Sequence, residues 1–555
     1  MSLQFIFGNS GSGKSHYLYQ QIVEESIRHP EKNYLVLVPE QFTMQTQKDL
    51  CMAHPRGGIM NIDVLSFGRL AHRVFEETGK ERQPILDDEG KNLVLRKIAG
   101  NYEDELTVLK GNLKKQGYIS EVKSVISEFT QYGIDFEQLD SFMEGLNSES
   151  YLYYKLKDIR KVYEGFEDYL RDKYITKEEL LDVLSQNVAE AKMLKDSVIA
   201  MDGFTGFTPV QNRLIGELLK VCDKIMLTVE IDRREDPFVY KHPYQLFALS
   251  KQMVTSLTEV AQEVKVEIDE PVWLCKNPPY RFKENPEMAF LEEELFRYSR
   301  RKYSGEKMQS ISLHEVHTPQ EEAQYVAEEI RRLVREEGYR YREIAVIASD
   351  LNTYADSLEK ACERYEIPVF MDHKKSILLN SFVEYLRSLL VMVEQNYTYE
   401  SVFRYLRTGL CGFTRDEVDE LNQLRVRFVE KLTPLHTVLK KRRKTVKEIT
   451  LAVYEYLVQE KIQEQLAELE QKFQEEGELA LAKEYAQIYR IVLELFDKFV
   501  ELLGEEEIPL KEYCELLDAG LEEAKVGVIP PSLDQVVIGD VERTRIKNIR
   551  ALFFV

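Results

Sequence analysis

The 555-residue chain carries 74 basic and 96 acidic side chains, a formal charge of −22, which argues against a globally basic nucleic-acid binder. Its 44% hydrophobic and 31% charged content suits a soluble globular protein of about three or four domains. No run of about 18 apolar residues is present, so no membrane-spanning helix is expected. The six cysteines, Cys51, Cys222, Cys275, Cys362, Cys411 and Cys514, are scattered without a Cys-x-x-Cys pair, which speaks against a zinc or disulfide framework and fits a reducing cytoplasm.

The chain opens directly on an apolar run, Leu3–Phe7, which leaves no signal peptide in view. Gly8-Asn9-Ser10-Gly11-Ser12-Gly13-Lys14-Ser15 follows, and the spacing predicts a helix over Lys14–Arg28. Strand, glycine-rich turn and helix in that order form a complete phosphate-binding loop. Gly8, Gly11 and Gly13 let backbone N–H groups curl around phosphates, and the helix N-terminus adds partial positive charge. Lys14 would reach the terminal phosphates and Ser15 would hold Mg²⁺, so ATP and magnesium are the expected ligands.

Further short β-branched runs at Tyr34–Val38, Ile62–Leu65, Val198–Met201 and Ile225–Val229 read as buried parallel strands. Asp202 ends the fourth of the five and suits the metal. The next position, where helicases often place a glutamate, is Gly203. Without that carboxylate, general-base assistance worth about 10² to 10⁴ in rate is missing, and no catalytic residue can be assigned. Between the third and fourth strands, amphipathic patterns such as Glu121–Tyr132 and Tyr151–Lys173 predict a helical insertion.

A second block begins near Ser310. Ile311–Val316 reads as a strand, Gln320–Glu337 as a helix, Ile344–Ala348 as a strand and Leu351–Tyr365 as a helix. Val369–Phe370 and the helix Phe382–Val393 follow. A second helical insertion, about 395–525, includes the strongly charged patterns Leu451–Phe473 and Leu479–Leu503. Strand character returns at Val536–Ile538 and at Ala551–Val555, where the sequence stops on a bare apolar strand and reads as part of a longer protein. His314 and His317 flank Glu315-Val316 in an expected strand and do not form a metal-binding helix face.

Together these patterns predict an α/β protein with two RecA-like parallel-sheet cores of the P-loop NTPase, superfamily 1 helicase-like type, each interrupted by a helical insertion. The expected boundaries are 1–85 plus 196–305 for the first core and 86–195 for its insertion. The second core is placed at 306–394 plus 526–555, and its insertion at 395–525.

Four stretches carry a resemblance: the phosphate loop from Phe5 to Ser15, Leu37-Val38-Pro39-Glu40-Gln41-Phe42-Thr43, Leu65-Ser66-Phe67-Gly68-Arg69-Leu70-Ala71, and Met201-Asp202-Gly203-Phe204-Thr205-Gly206-Phe207-Thr208-Pro209. Gly539-Asp540-Val541-Glu542-Arg543-Thr544-Arg545 also fits. On these the chain resembles the N-terminal half of the B subunit of AddAB-type helicase–nucleases of bacterial double-strand-break repair. The resemblance implies an A subunit as partner and main motor, single- and double-stranded DNA as ligands, and recognition of the hotspot sequence Chi by the B subunit. It also implies a nuclease domain with an iron–sulfur cluster beyond Val555. The DNA-reading positions it implies are Gln41, Thr43, Phe67, Arg69, Phe204 and Phe207. Gln, Thr and Arg can bond base edges or phosphates, and Phe offers a stacking platform.

Three departures bear on activity. His72 stands where some relatives have tryptophan. No upstream glutamine is present to clamp adenine. Ala348-Ser349-Asp350 occupies the place of a phosphate-sensing arginine. With Gly203, these gaps point to ATP binding by Gly8, Gly11, Gly13, Lys14, Ser15 and Asp202 without efficient turnover. An active DNA-stimulated ATPase motor is the alternative, and a P-loop kinase or interaction protein the second. The basic runs Lys440–Lys444 and Arg297–Lys302 read as solvated segments, with phosphate contact as the other reading. Arg543 and Arg545 are expected near the nucleotide face of the second core.

Overall fold

The computed structural model describes all residues except 80–82, 113–115, 172, 298, 306–307, 372–374, 413–430, 527–533, 542–543, 545 and 547. It divides into two compact units. Unit 1 comprises Met1–Leu86, Ser124–Arg160 and Glu167–Glu315, and unit 2 comprises Asp87–Lys123, Lys161–Phe166 and Val316–Val555.

Unit 1 is built on strands β1 (Ser2–Gly8), β2 (Tyr34–Leu37) and β3 (Ile62–Leu65), a short parallel pair β4 (Ile85–Leu86) and β5 (Ile175–Thr176), then β6 (Val198–Met201), β7 (Lys224–Glu230), β8 (Glu267–Ile268) and β9 (Val272–Trp273). The main sheet runs β3-β2-β6-β7-β1-β8, with β9 also on β1, and every pairing is parallel. Alternation along β1 explains why both faces are covered. Leu3, Phe5 and Phe7 point into one apolar layer with Leu70, Val74, Leu214 and Leu257. Ile6 points into the other, with Leu18 and Ile22 of helix α1 (Lys14–Arg28) and Leu50 of helix α2 (Thr43–Ala53). Helix α3 (Phe67–Thr78) starts at Ser66, whose hydroxyl accepts from the Arg69 amide at 3.3 Å.

In unit 2, strands β10 (Ile344–Ala348), β11 (Val369–Met371), β14 (Val536–Asp540) and β15 (Ala551–Phe554) form a parallel sheet in the order β11-β14-β10-β15. A two-residue antiparallel pair, β12 (Lys375–Ser376) with β13 (Lys525–Val526), stands apart from it. Helices Pro319–Glu336 and Leu351–Arg364 cover the four-stranded sheet through Ala323, Val326, Ile330 and Leu358. The helical part of unit 2 includes Asp88–Asn101, which pairs through Arg96 with Glu515 at 2.9 Å.

The α/β class and both parallel sheets agree with the sequence reading, and one local expectation is corrected. Residues 311–316 form no strand, and Leu313 is fully exposed. The preceding amides of Gln309 and Ser310 bond the Glu287 carboxylate, so apolar alternation here marks extended chain without a ladder. The pattern Leu451–Phe473 is two helices, Val446–Gln459 and Ile462–Glu475, broken at Lys461, whose φ is 54°. Their buried faces end at Leu457 and resume at Ile462, a step of five that a helix of 3.6 residues per turn cannot keep on one side.

Among the described residues, no helix is long and apolar enough to cross a membrane. Nor do His, Cys, Asp and Glu gather there into a group able to hold a metal.

Candidate nucleotide site and DNA surface

The phosphate loop leaves β1 at Gly8 and enters α1 at Lys14. Gly11 and Gly13 have φ of 71° and 93°, the left-handed region that glycine adopts without strain. No side chain caps α1, because its N-cap is Gly13. The N-terminus of α1 therefore offers an anion its partial positive charge with no side-chain acceptor set against it at the cap.

Asp202 is the hub beneath the loop. It is 2% exposed at the end of β6. Its Oδ1 accepts from Ser15 Oγ at 2.9 Å and from Thr228 Oγ1 at 2.7 Å, and its Oδ2 accepts from Tyr19 OH at 2.7 Å. Three hydroxyl donors on a buried carboxylate offset its desolvation. The sheet order makes this meeting possible, because β7, which carries Thr228, lies between β6 and β1. A hydroxyl beside a carboxylate is a hard oxygen pair of the kind Mg²⁺ takes. Lys14 Nζ donates to the Asn9 carbonyl at 2.9 Å. Burial lowers the pKa of its ammonium, while the Glu230 and Asp202 carboxylates act to raise it.

Gly203 has φ of 80°. The backbone turns there in a conformation that a glutamate would hold only with strain, so the missing carboxylate is tied to the local geometry as well as to composition.

A strap of chain after β9 lies on the loop. The Leu274 amide donates to the Phe7 carbonyl at 2.8 Å, and the Arg281 amide to the Gly11 carbonyl at 3.0 Å. Asn9 Nδ2 donates to Glu292 Oε2 at 2.9 Å. A Cβ on Gly8 would sit 2.9 Å from the Leu274 carbonyl oxygen, and one on Gly11 would sit 2.8 Å from Arg281 Cβ.

The positions expected to read DNA fall at the ends of three neighbouring strands, β3, β2 and β6. Gln41 is exposed in a short turn. Thr43 is 4% exposed and donates its hydroxyl to the Glu40 carbonyl at 2.9 Å, so it serves the start of α2. Phe67 is 7% exposed and packs into the core. Its ring centroid lies 5.4 Å from Phe204 and 6.2 Å from Phe207, which are themselves 5.1 Å apart. Phe204 and Phe207 keep partial exposure, and Arg69 and His72 are exposed on α3.

The other flagged segments have structural partners. Arg297 pairs with Asp232 at 2.8 Å and Glu235 at 3.2 Å, and Arg301 with Glu294 at 2.7 Å. Lys444 is buried and donates to the Leu439 carbonyl at 2.6 Å. Arg543 and Arg545 lie outside the described residues.

Sequence reasoning missed Tyr19, Thr228 and the strap. Tyr19 stands four residues after Ser15 on one helix face, a spacing that could have flagged it. The strap has no local signal, because its contacts span more than 260 residues of chain.

A family model described as "ADDB, N-terminal" matches residues 5–292, and one described as "UvrD-like helicase C-terminal domain" matches residues 284–555. The chain is 41% identical to the B subunit of the ATP-dependent helicase/deoxyribonuclease of Lachnoclostridium phytofermentans, over all of this chain and 52% of that protein. It is 32% identical to the protein of the same name from Clostridium novyi, over all of this chain and 51% of the relative. The corresponding identity with that of Acetivibrio thermocellus is 30%, over all of this chain and 52% of the relative. The chain thus spans about half the length of the curated relatives it matches. With one family model covering more than half of its residues and these relatives aligned along its whole length, the chain belongs to the AddB family, whose N-terminal region it represents.

Proposed function

We propose that this chain is the nucleotide- and DNA-binding part of the B subunit of an ATP-dependent helicase/deoxyribonuclease acting in bacterial double-strand-break repair. In this reading Gly8, Gly11, Gly13, Lys14 and Ser15 hold the phosphates of ATP, and Ser15 with Asp202 holds Mg²⁺. The metal neutralises phosphate charge when bound. Gln41, Arg69, His72, Phe204 and Phe207 face single-stranded DNA and read the Chi hotspot, with Phe67 supporting the two outer rings from below and the buried Thr43 fixing the turn that carries Gln41. The two sheets are the RecA-like cores of a helicase fold, with helical insertions at about residues 86–195 and 395–525. Unwinding is assigned to a partner A subunit in the cytoplasm. Nuclease chemistry and the iron–sulfur cluster are assigned to the part of the relatives that this chain does not span.

One observation carries the reading. A complete phosphate loop is joined to its acidic partner through Ser15 and Asp202, while the neighbouring position is a glycine in the left-handed region. The site has the groups to bind a triphosphate and lacks the usual one to activate water.

The test uses the assembled two-subunit complex. Lys14→Ala should leave unwinding intact and abolish the response to the hotspot. Phe204→Ala with Phe207→Ala should weaken hotspot binding with the ATP affinity unchanged. A Lys14→Ala complex with a normal hotspot response would remove nucleotide binding from the mechanism.

A further inference from the structure

The strap over the phosphate loop presents a carboxylate to two hydrogen-bond donors of that loop. Glu292 lies in the helix Pro286–Glu294, which starts at Asn285, whose side chain accepts from the Met288 amide at 3.1 Å. Its Oε2 takes the Asn9 side-chain amide at 2.9 Å, and the Ser10 backbone also donates to its carboxylate. Both donors belong to the glycine-rich loop itself. A carboxylate shares with a phosphate the features such a loop recognises, negative charge and acceptor oxygens.

The surroundings of Glu292 do not favour its charge. Burial raises its pKa first, and the neighbouring Asp232 and Glu230 carboxylates add to that, against the Asn9 and Ser10 hydrogen bonds. An incoming triphosphate would add several further negative charges beside these three carboxylates. Like charges within a few ångström disfavour one another, so phosphate and Glu292 compete for one set of donors.

The strap is also tied at its far end. Arg234 Nη2 donates to the Glu293 carbonyl at 2.8 Å, Arg297 bridges Asp232 and Glu235, and Glu235 accepts from the buried Lys251 at 2.6 Å. These partners sit on the segment that follows β7 and on the helix Ala248–Glu263. The contacts therefore run unbroken from Asn9 in the phosphate loop, through the strap helix, to the segment after β7.

Resting on the nucleotide-site reading above, we propose that Glu292 is a built-in anionic occupant of the phosphate loop, and that the terminal phosphates of a nucleoside triphosphate displace it and release the strap. The chain then reports nucleotide occupancy through movement of residues 275–297, with no need for hydrolysis. Glycine at positions 8 and 11 serves both states, because it admits the close approach of the strap and of phosphate alike.

The test is equilibrium titration of the full chain with ATP and Mg²⁺, for wild type, Glu292→Ala, Glu292→Gln and Lys14→Ala. Removing the competing carboxylate should tighten ATP binding by about tenfold in Glu292→Ala, the size expected for one lost charge–hydrogen-bond competitor. Glu292→Gln removes only the charge and should fall between that and wild type, which keeps the test usable should the alanine variant fold poorly. Amide exchange over residues 275–297 should rise when a non-hydrolysable ATP analogue binds to wild type, and should already be high in Glu292→Ala without nucleotide. Unchanged or weaker ATP binding in both folded Glu292 variants would overturn the latch. So would loss of phosphate release in Glu292→Gln at unchanged affinity, which would make Glu292 a water-activating group. Absence of ATP binding in wild type and in both folded Glu292 variants would overturn the nucleotide reading itself, an outcome distinct from an intact site with no latch.

Discussion

The two parallel sheets begin alike and end differently. In unit 1, β1 delivers the chain to a glycine loop and a helix with no side-chain cap at its N-terminus. In unit 2, β10 delivers it to Ser349 and Asp350 ahead of the helix Leu351–Arg364. There the Ser349 amide bonds the Val555 carbonyl, and Asp350 accepts from the Thr353 hydroxyl at 2.5 Å. A carboxylate at a helix N-terminus already supplies the negative charge that position favours. A parallel-sheet strand end alone therefore does not make a phosphate-binding loop. Three glycines and an absent cap make one strand end receptive, and an aspartate makes the other self-sufficient.

The largest expected effect separates core from surface at the aromatic trio. Phe67→Ala should cost about 3–5 kcal/mol of stability, as for a buried phenylalanine, read by urea unfolding of unit 1. Asp202→Ala would remove the shared acceptor of the Ser15, Tyr19 and Thr228 hydroxyls and should destabilise by about 1–3 kcal/mol while abolishing Mg²⁺-dependent nucleotide binding. Lys14→Ala should weaken ATP binding by about 2–3 kcal/mol, close to a hundredfold in Kd, by titration. Phe204→Ala should lower single-stranded DNA affinity by about 1–3 kcal/mol, read by fluorescence anisotropy, with little change in unfolding. The smallest effect belongs to the second sheet, where Asp350→Ala should leave ATP affinity unchanged in the same titration. A weakened affinity there would mean that the two strand ends do not differ as described.

Much of the fold was legible because it rests on short-range pattern. The apolar runs at Ile62–Leu65, Val198–Met201 and Ile344–Ala348 coincide with strands, and Lys14–Arg28 coincides with a helix. A buried parallel strand must be apolar on both faces, which leaves a signal in a few residues. The failures are equally physical. Residues 311–316 alternate like a strand, but a ladder needs a neighbour that the local sequence cannot reveal. Within the charged pattern Leu451–Phe473, the turn at Lys461 leaves no mark in the amphipathic spacing, so the two helices there could not be told apart.

The candidate site divides the same way. Gly8 to Ser15 are contiguous, so the loop could be read directly, and Asp202 could be read from its place at the end of an apolar run. Thr228 could not, because it reaches Asp202 only through the order of strands in the sheet. Glu292 could not either, since nothing near it in sequence announces a partner 283 residues away.

The central claim is that this loop binds ATP without turning it over efficiently. It is tested most directly by titrating the chain with ATP and Mg²⁺ while measuring phosphate release, with and without single-stranded DNA. The account predicts saturable binding, weakened about a hundredfold in Lys14→Ala, with negligible phosphate release in either condition. Robust release stimulated by DNA would contradict it and would mean that another group activates water in place of the residue missing at Gly203.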